Sequence, residues 1–256
     1  MAGNRPFGDF LRSRRIRLDP GTMADGPRNR RRTPGLKREE VAQRAGISAE
    51  WYVKLEQGRA VSPSNETVEA LGRALLLNQV ELTHLRSLAA AGGRQPFQRE
   101  DAPDVIRRIV AGLSEPAYLT GQRFDVLVWN DAAATLFGSF GKAAPEDRNI
   151  FHWMLTSTAA KQVFCQTWAD EARRVVSLFR AAHDLWPGDA AFVDLLDKTR
   201  AGCPELDGWW SEHGISTPLS GTKHLCHPTR GIICYEYASF QANDDPSLKL
   251  ALYTQR

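Results

Sequence analysis

Long apolar runs are missing from this chain. None approaches the ~20 residues that a membrane-spanning helix needs, which sets aside a helical membrane protein. The first 17 residues are basic, but no apolar stretch follows them, so no secretory signal is expected. A transit peptide is set aside as well, because Phe7, Phe10, Leu11 and Leu18 form a packing face; a cytoplasmic location is expected. Cysteine is scarce. Cys165, Cys203, Cys226 and Cys234 contain no C-x-x-C pair and are expected to be free, buried thiols. Cys226 stands beside His224 and His227, but the group lacks the close pairwise spacings of a zinc site, so no metal is expected. Also absent are G-x-S-x-G, a Walker loop, H-E-x-x-H and G-x-G-x-x-G. The carboxylates are scattered, and neither an enzyme nor a cofactor is expected. There is no internal repeat and no low-complexity tract.

What the chain has is an uneven distribution of charge. Residues 1–90 carry 16 Lys and Arg against 10 Asp and Glu, while residues 91–256 carry 17 against 20. Four of the basic residues, Arg28, Arg30, Arg31 and Arg32, fall in the segment 19–35, which also has three prolines. That segment reads as an extended basic loop, either an arm that lies along phosphates or reaches into a minor groove, or a plain solvated connection. A basic first part on a slightly acidic remainder points to a polyanion partner for the first part alone.

The most informative stretch is LKREEVAQRAGISAEWYVKLEQGR, residues 36–59. Val41, Ala42 and Ala45 mark the inner face of one short helix, and Gly46 supplies the turn. Ser48 is placed to cap a second helix, in which Tyr52 and Leu55 face back toward the first. Gly58 ends it. Two short crossed helices with such a turn form the helix-turn-helix, whose second helix reads bases in the major groove. Ala49, Glu50 and Lys54 are left on the free side. Glu50 suits a cytosine amino group, Lys54 a guanine, and Ala49 a thymine methyl. Arg38 and Arg59, with the arginines at 28 and 30–32, are candidates for phosphate contact.

Around this motif the periodicity predicts a helix from Phe7 to Leu18 with its arginines outward, and two more at Thr67–Leu76 and Gln79–Ala90. Ala-Gly-Gly-Arg-Gln-Pro at 91–96 marks a boundary, giving a first domain at 1–91, a linker at 92–102 and a second domain at 103–256. The second domain opens with a helix, Pro103–Leu113, with Val105, Ile109 and Val110 inward. Strands are expected at 117–121, 123–129, 221–227, 231–241 and 249–254, and helices at 132–137, 149–155, 192–199 and 205–212. Lys161–His183 is the longest stretch with a single helical stripe. The fold class is thus an all-α helix-turn-helix domain of about five helices, followed by an α+β domain with an antiparallel sheet.

The motifs R-E-E-V-A-x-x-A-G-I-S and L-E-Q-G-R resemble the Xre, or lambda-repressor-like, class. With R-R-T-P-G-L-K-R-E-E-V-A, V-L-V-W-N-D-A-A-A, P-E-D-R-N-I-F-H-W and S-G-T-K-H-L-C-H-P, nearly the whole chain resembles the MmyB-like transcriptional regulators. The resemblance implies a PAS-like second domain that senses a lipophilic, fatty-acid-like ligand. Candidate pocket residues are Tyr118, Trp129, Phe137, Trp153, Met154, Trp168 and Tyr235, with Arg148 and Asn149 at the mouth for a carboxylate, and His224 and His227 as second choices. Expected partners are double-stranded DNA with a near-palindromic operator, a small lipophilic molecule and a second copy of the chain; no membrane is expected. The alternative is a DNA-binding adaptor or antitoxin whose second domain binds protein and no small molecule.

Overall fold

The computed structural model describes residues 4–18, 35–59, 62–90, 96–138, 140–216 and 220–256. Contacts divide the chain into two units, Met1–Gln95 with Asp184–Pro187, and Pro96–His183 with Gly188–Arg256. The arginines at 28 and 30–32 lie outside the described residues.

The first unit holds α1 (Arg5–Arg17), α2 (Arg38–Ala45), α3 (Ala49–Glu56), α4 (Asn65–Ala74) and α5 (Gln79–Ala90). Their starts follow from local side-chain chemistry. Asn4 accepts from the Phe7 amide, Ser48 from Trp51 and Ser64 from Thr67. Gly46, at φ 67°, ends α2 in the left-handed region that a Cβ disfavours. The core joins Phe7, Phe10 and Leu11 of α1 to Val41, Tyr52, Leu55, Leu71, Leu85 and Leu88, all buried. One expectation for α1 fails. Its arginines do not all face water, because Arg14 is buried, with Nε 3.0 Å from Glu81 Oε1 and its guanidinium 4.5 Å from the Phe10 ring centre. The ion pair lets an arginine stem fill an apolar face.

Where α1 meets the end of α3 the backbones come close. A Cβ on Gly8 would stand 2.4 Å from the Glu56 carbonyl oxygen and 2.7 Å from the Gly58 nitrogen, both main-chain atoms. Gly8→Ala should therefore destabilise this unit by about 1–3 kcal/mol, read as a lower denaturation midpoint. An unchanged midpoint would mean the helices separate freely.

The second unit is built on one antiparallel sheet of β1 (Ala117–Thr120), β2 (Val126–Trp129), β3 (Gly221–His227), β4 (Gly231–Gln241) and β5 (Lys249–Gln255). The strand order is β2-β1-β5-β4-β3. The register, with Tyr118 opposite Ala251, Tyr237 opposite Tyr253 and Lys223 opposite Tyr235, places these residues on one face. Helices α7 (Asp131–Phe137), α8 (Ile150–Thr156), α9 (Thr158–Phe164), α10 (Trp168–His183), α11 (Ala190–Gly202) and α12 (Leu206–Ser211) fill the chain between β2 and β3. The opposite face carries Leu119, buried with Ala102 and Leu248 and packed by Ile106 of α6 (Asp104–Gly112).

Three expectations for this unit are corrected. In α6 only Val110 of the expected inward residues is buried, while Val105 and Ile109 are 53% and 52% exposed. The helix turns Ile106 to the sheet, which rotates its neighbours outward. Lys161–His183 is not continuous. It breaks at Cys165, where φ is 46°, into α9, a 3₁₀ turn over Cys165–Thr167, and α10. Finally, the thiols are not all free: Cys165 and Cys226 form a disulfide with Cα atoms 6.4 Å apart, leaving Cys203 buried and Cys234 half-buried as free cysteines. The bond ties the turn before α10 to β3. No spacing rule links two cysteines 61 residues apart.

Candidate DNA-reading helix and ligand-facing sheet

Helix α3 is anchored by what it buries. Tyr52, Leu55 and Glu56 are its buried residues, and Glu50 is exposed. Glu56 organises the motif. Arg15 of α1 donates to it twice, Nε to Oε2 at 2.7 Å and Nη2 to Oε1 at 2.9 Å. Arg38 of α2 donates to Oε1 from Nε and Nη2 at 3.0 and 2.8 Å. Arg15 also reaches the Leu36 carbonyl oxygen at 2.8 Å. Burial pushes the Glu56 carboxyl up, but the hydrogen bonds from Arg15 and Arg38 outweigh it and hold the group below its ordinary value. One carboxylate thus fixes three helices. The sequence reading did not single it out, because a Glu near a helix end ordinarily reads as solvated.

The predicted reading residues are placed as follows. Glu50 and Lys54 lie one turn apart and pair with each other, Nζ to Oε1 at 2.8 Å, with Glu50 79% exposed. Ala49 is half-buried and Arg59 exposed. Arg38 remains 43% exposed while it holds Glu56, and with Arg5, Arg12 and Gln57 it lines a concavity of about 490 Å³.

In the second unit Tyr118, Phe137 and Trp153 do come together. Tyr118 and Phe137 have ring centres 5.8 Å apart, and Phe137 and Trp153 6.0 Å apart. Trp129 joins through Phe140, at 5.7 Å, and Phe140 also meets Trp153 at 6.1 Å. Tyr235 reaches the group through Tyr253, at 6.4 Å. Met154 is buried, and its carbonyl accepts from Trp168 Nε1 at 2.8 Å. Trp168 itself sits against Trp209, under Lys161. Phe140, Tyr253 and Tyr237 were not among the expected residues.

The expected mouth residues are otherwise occupied. Arg148 donates to the Ala143 carbonyl at 3.0 Å and lies 5.4 Å from the Trp129 ring centre. Asn149 is buried; its amide donates to Arg123 O and Asp125 Oδ1 and its oxygen caps α8 through the His152 amide. It has no N–H left for a ligand. His224 is exposed, and His227 accepts from Thr229 N. The inward cation is the residue just before His224: Lys223, buried, with its Nζ 2.5 Å from Glu171 Oε1. Arg174 Nε stands 3.3 Å from Glu171 Oε2. Burial and the nearby Arg174 push the Lys223 pKa down, and Glu171 opposes them. No group of three or more potential metal ligands occurs among the described residues.

A capped, outward-facing helix in a helix-turn-helix unit, joined to a sheet-and-helix unit with an aromatic inner face, defines a DNA-binding transcription regulator with a ligand-binding domain. A model of the helix-turn-helix domain matches residues 6–85, and that of the MmyB-like transcription regulator ligand binding domain matches residues 102–256. The chain belongs to the MmyB-like regulators. No curated protein matches it. No described helix is long and apolar enough to cross a membrane.

Proposed function

We propose that this regulator reads an operator with α3 and is switched by a lipophilic, fatty-acid-like molecule bound between the sheet and its helices. It acts in the cytoplasm, without catalysis, as a homodimer on a near-palindromic site. The observation that carries the DNA reading is the outward Glu50–Lys54 pair on a helix pinned from behind by Tyr52, Leu55 and Glu56. Ala49 adds the apolar contact. Arg38, Arg59 and the arginines at 28 and 30–32 supply phosphate contacts, which position the protein without reading sequence. The aromatic inner face and the strand order β2-β1-β5-β4-β3 support a PAS-like ligand domain. Two copies would set their reading helices in successive major grooves, about 34 Å apart.

The test is a binding scan of the DNA upstream of the gene, followed by variants. Glu50→Ala and Lys54→Ala should each change base preference, by about 1–3 kcal/mol at one position. Arg59→Ala should weaken all sequences alike. Uniform loss in all three variants would remove Glu50 and Lys54 from the reading surface.

A further inference from the structure

We propose that Cys165 and Cys226 are a reversible redox pair, closed to the disulfide by a peroxide and reopened by thiols, whose state sets the turn between α9 and α10. The inference rests on the reading of this chain as a cytoplasmic regulator. Thiols in that compartment are kept reduced, and a disulfide there is ordinarily transient or redox-sensing.

The pair is within reach of small reagents. Cys165 and Cys226 are both half-buried, whereas Cys203 is only 2% exposed. Cys226 lies on β3, an edge strand of the sheet, and Cys165 opens the 3₁₀ turn Cys165–Thr167. A peroxide alone balances the chemistry. One thiol attacks a peroxide oxygen, the O–O bond breaks, and a sulfenic acid forms as water leaves. The second thiol attacks that sulfur, the S–S bond forms, and the sulfenic oxygen departs as a second water. The two sulfurs lose two electrons, and the peroxide gains them. Two molecules of a small thiol reverse the change through a mixed disulfide, becoming a disulfide themselves.

The turn at Cys165 has two arrangements open to it. Cys165 stands at φ 46° and ψ −123°, a region that a residue with a Cβ occupies only at a cost. No glycine or proline lies between Thr158 and His183 to fix a break, and Phe164, Trp168, Ala172 and Val176 recur every four residues. That spacing suits one unbroken helix. Local sequence thus favours continuity, while the bond to β3 holds the turn. With the thiols free, the Cys165 backbone is able to return to the helical region and α9 to run on into α10.

Both flanks of the turn touch the same helix. The Phe164 ring centre is 6.4 Å from that of Trp153, and Trp168 Nε1 donates to the Met154 carbonyl at 2.8 Å. A change at Cys165 is therefore passed to α8, and through Trp153 to the aromatic cluster.

The experiment uses the full chain, first reduced and then treated with equimolar hydrogen peroxide. Alkylation in denaturant with mass spectrometry should count all four thiols before peroxide and two after, with the bond mapped to Cys165 and Cys226. In mixtures of reduced and oxidised glutathione the pair should pass between thiols and disulfide, whereas a purely structural bond resists the glutathione pool. Amide hydrogen exchange over residues 158–168 should differ by about tenfold or more between the two states. Cys234→Ser should respond as the wild type does, and Cys165→Ser and Cys226→Ser should show no change in exchange on adding peroxide. If either of these serine variants fails to fold, the two states of the wild type decide. A bond that survives in reduced glutathione, or thiols that persist after peroxide, would overturn the switch. Equal exchange over 158–168 in the two states would overturn it as well. None of these readouts involves DNA or a ligand, so a failed operator scan and a failed switch are told apart.

Discussion

Glu56→Ala should destabilise the helix-turn-helix unit by about 3–5 kcal/mol, a large part of the stability of a small domain. The carboxylate is 1% exposed and receives four hydrogen bonds, two each from Arg15 and Arg38. Removing it leaves Arg15, whose side chain is only 11% exposed, without its counter-ion. The same group sets an acid dependence. The folded pKa of Glu56 lies below the ordinary 4.5, so its contribution is complete above 4.5 and fades as the pH falls through the folded value. Urea denaturation of wild type and Glu56→Ala at neutral and at acid pH measures both effects. The two proteins should differ most at neutral pH and converge in acid. A neutral-pH difference below about 0.5 kcal/mol, the scale of an ordinary surface change, would deny Glu56 its role as the fastener of three helices.

Cys226→Ser should lower the stability of the second unit by about 2–4 kcal/mol in the absence of reductant. The Cys165–Cys226 bond closes a loop between residues 61 apart, and restricting so long a segment of the unfolded chain is its main contribution. Dithiothreitol should bring the wild type down to the level of the variant while leaving the variant unmoved. Thermal denaturation of both proteins, with and without reductant, tests this. A wild type indifferent to reductant would show that the bond adds nothing to the fold.

Much of the architecture can be read from residue types at fixed spacing. The caps Ser48 and Ser64, the left-handed Gly46 and the alternation of β3 to β5 are local signals, and local geometry obeys them. The failures have a different physical origin. The break at Cys165 falls where the chain is bonded to a residue 61 positions away, and no glycine or proline announces it. Arg14 and Glu56 look like surface charges until the helices that pair them are assembled. Val105 and Ile109 were assigned inward on periodicity, but the sheet receives Ile106. The ligand face shows how fine the margin is. The sequence points to His224, whereas the structure buries Lys223 beside it; adjacent strand residues point to opposite faces, so one step in register separates an exposed imidazole from a buried ammonium.

The Glu50–Lys54 pair bears on which base pair α3 can accept. The two groups already satisfy each other at 2.8 Å, so an acceptor and a donor stand side by side at the free surface of α3. A G·C pair displays the complementary arrangement in the major groove: a cytosine amino donor next to guanine acceptors. On the proposed reading, the intact pair can meet that base pair as a unit. An A·T step in its place would set the thymine methyl against a charged couple, so the protein's discrimination would arise as much from what the couple rejects as from what it grips.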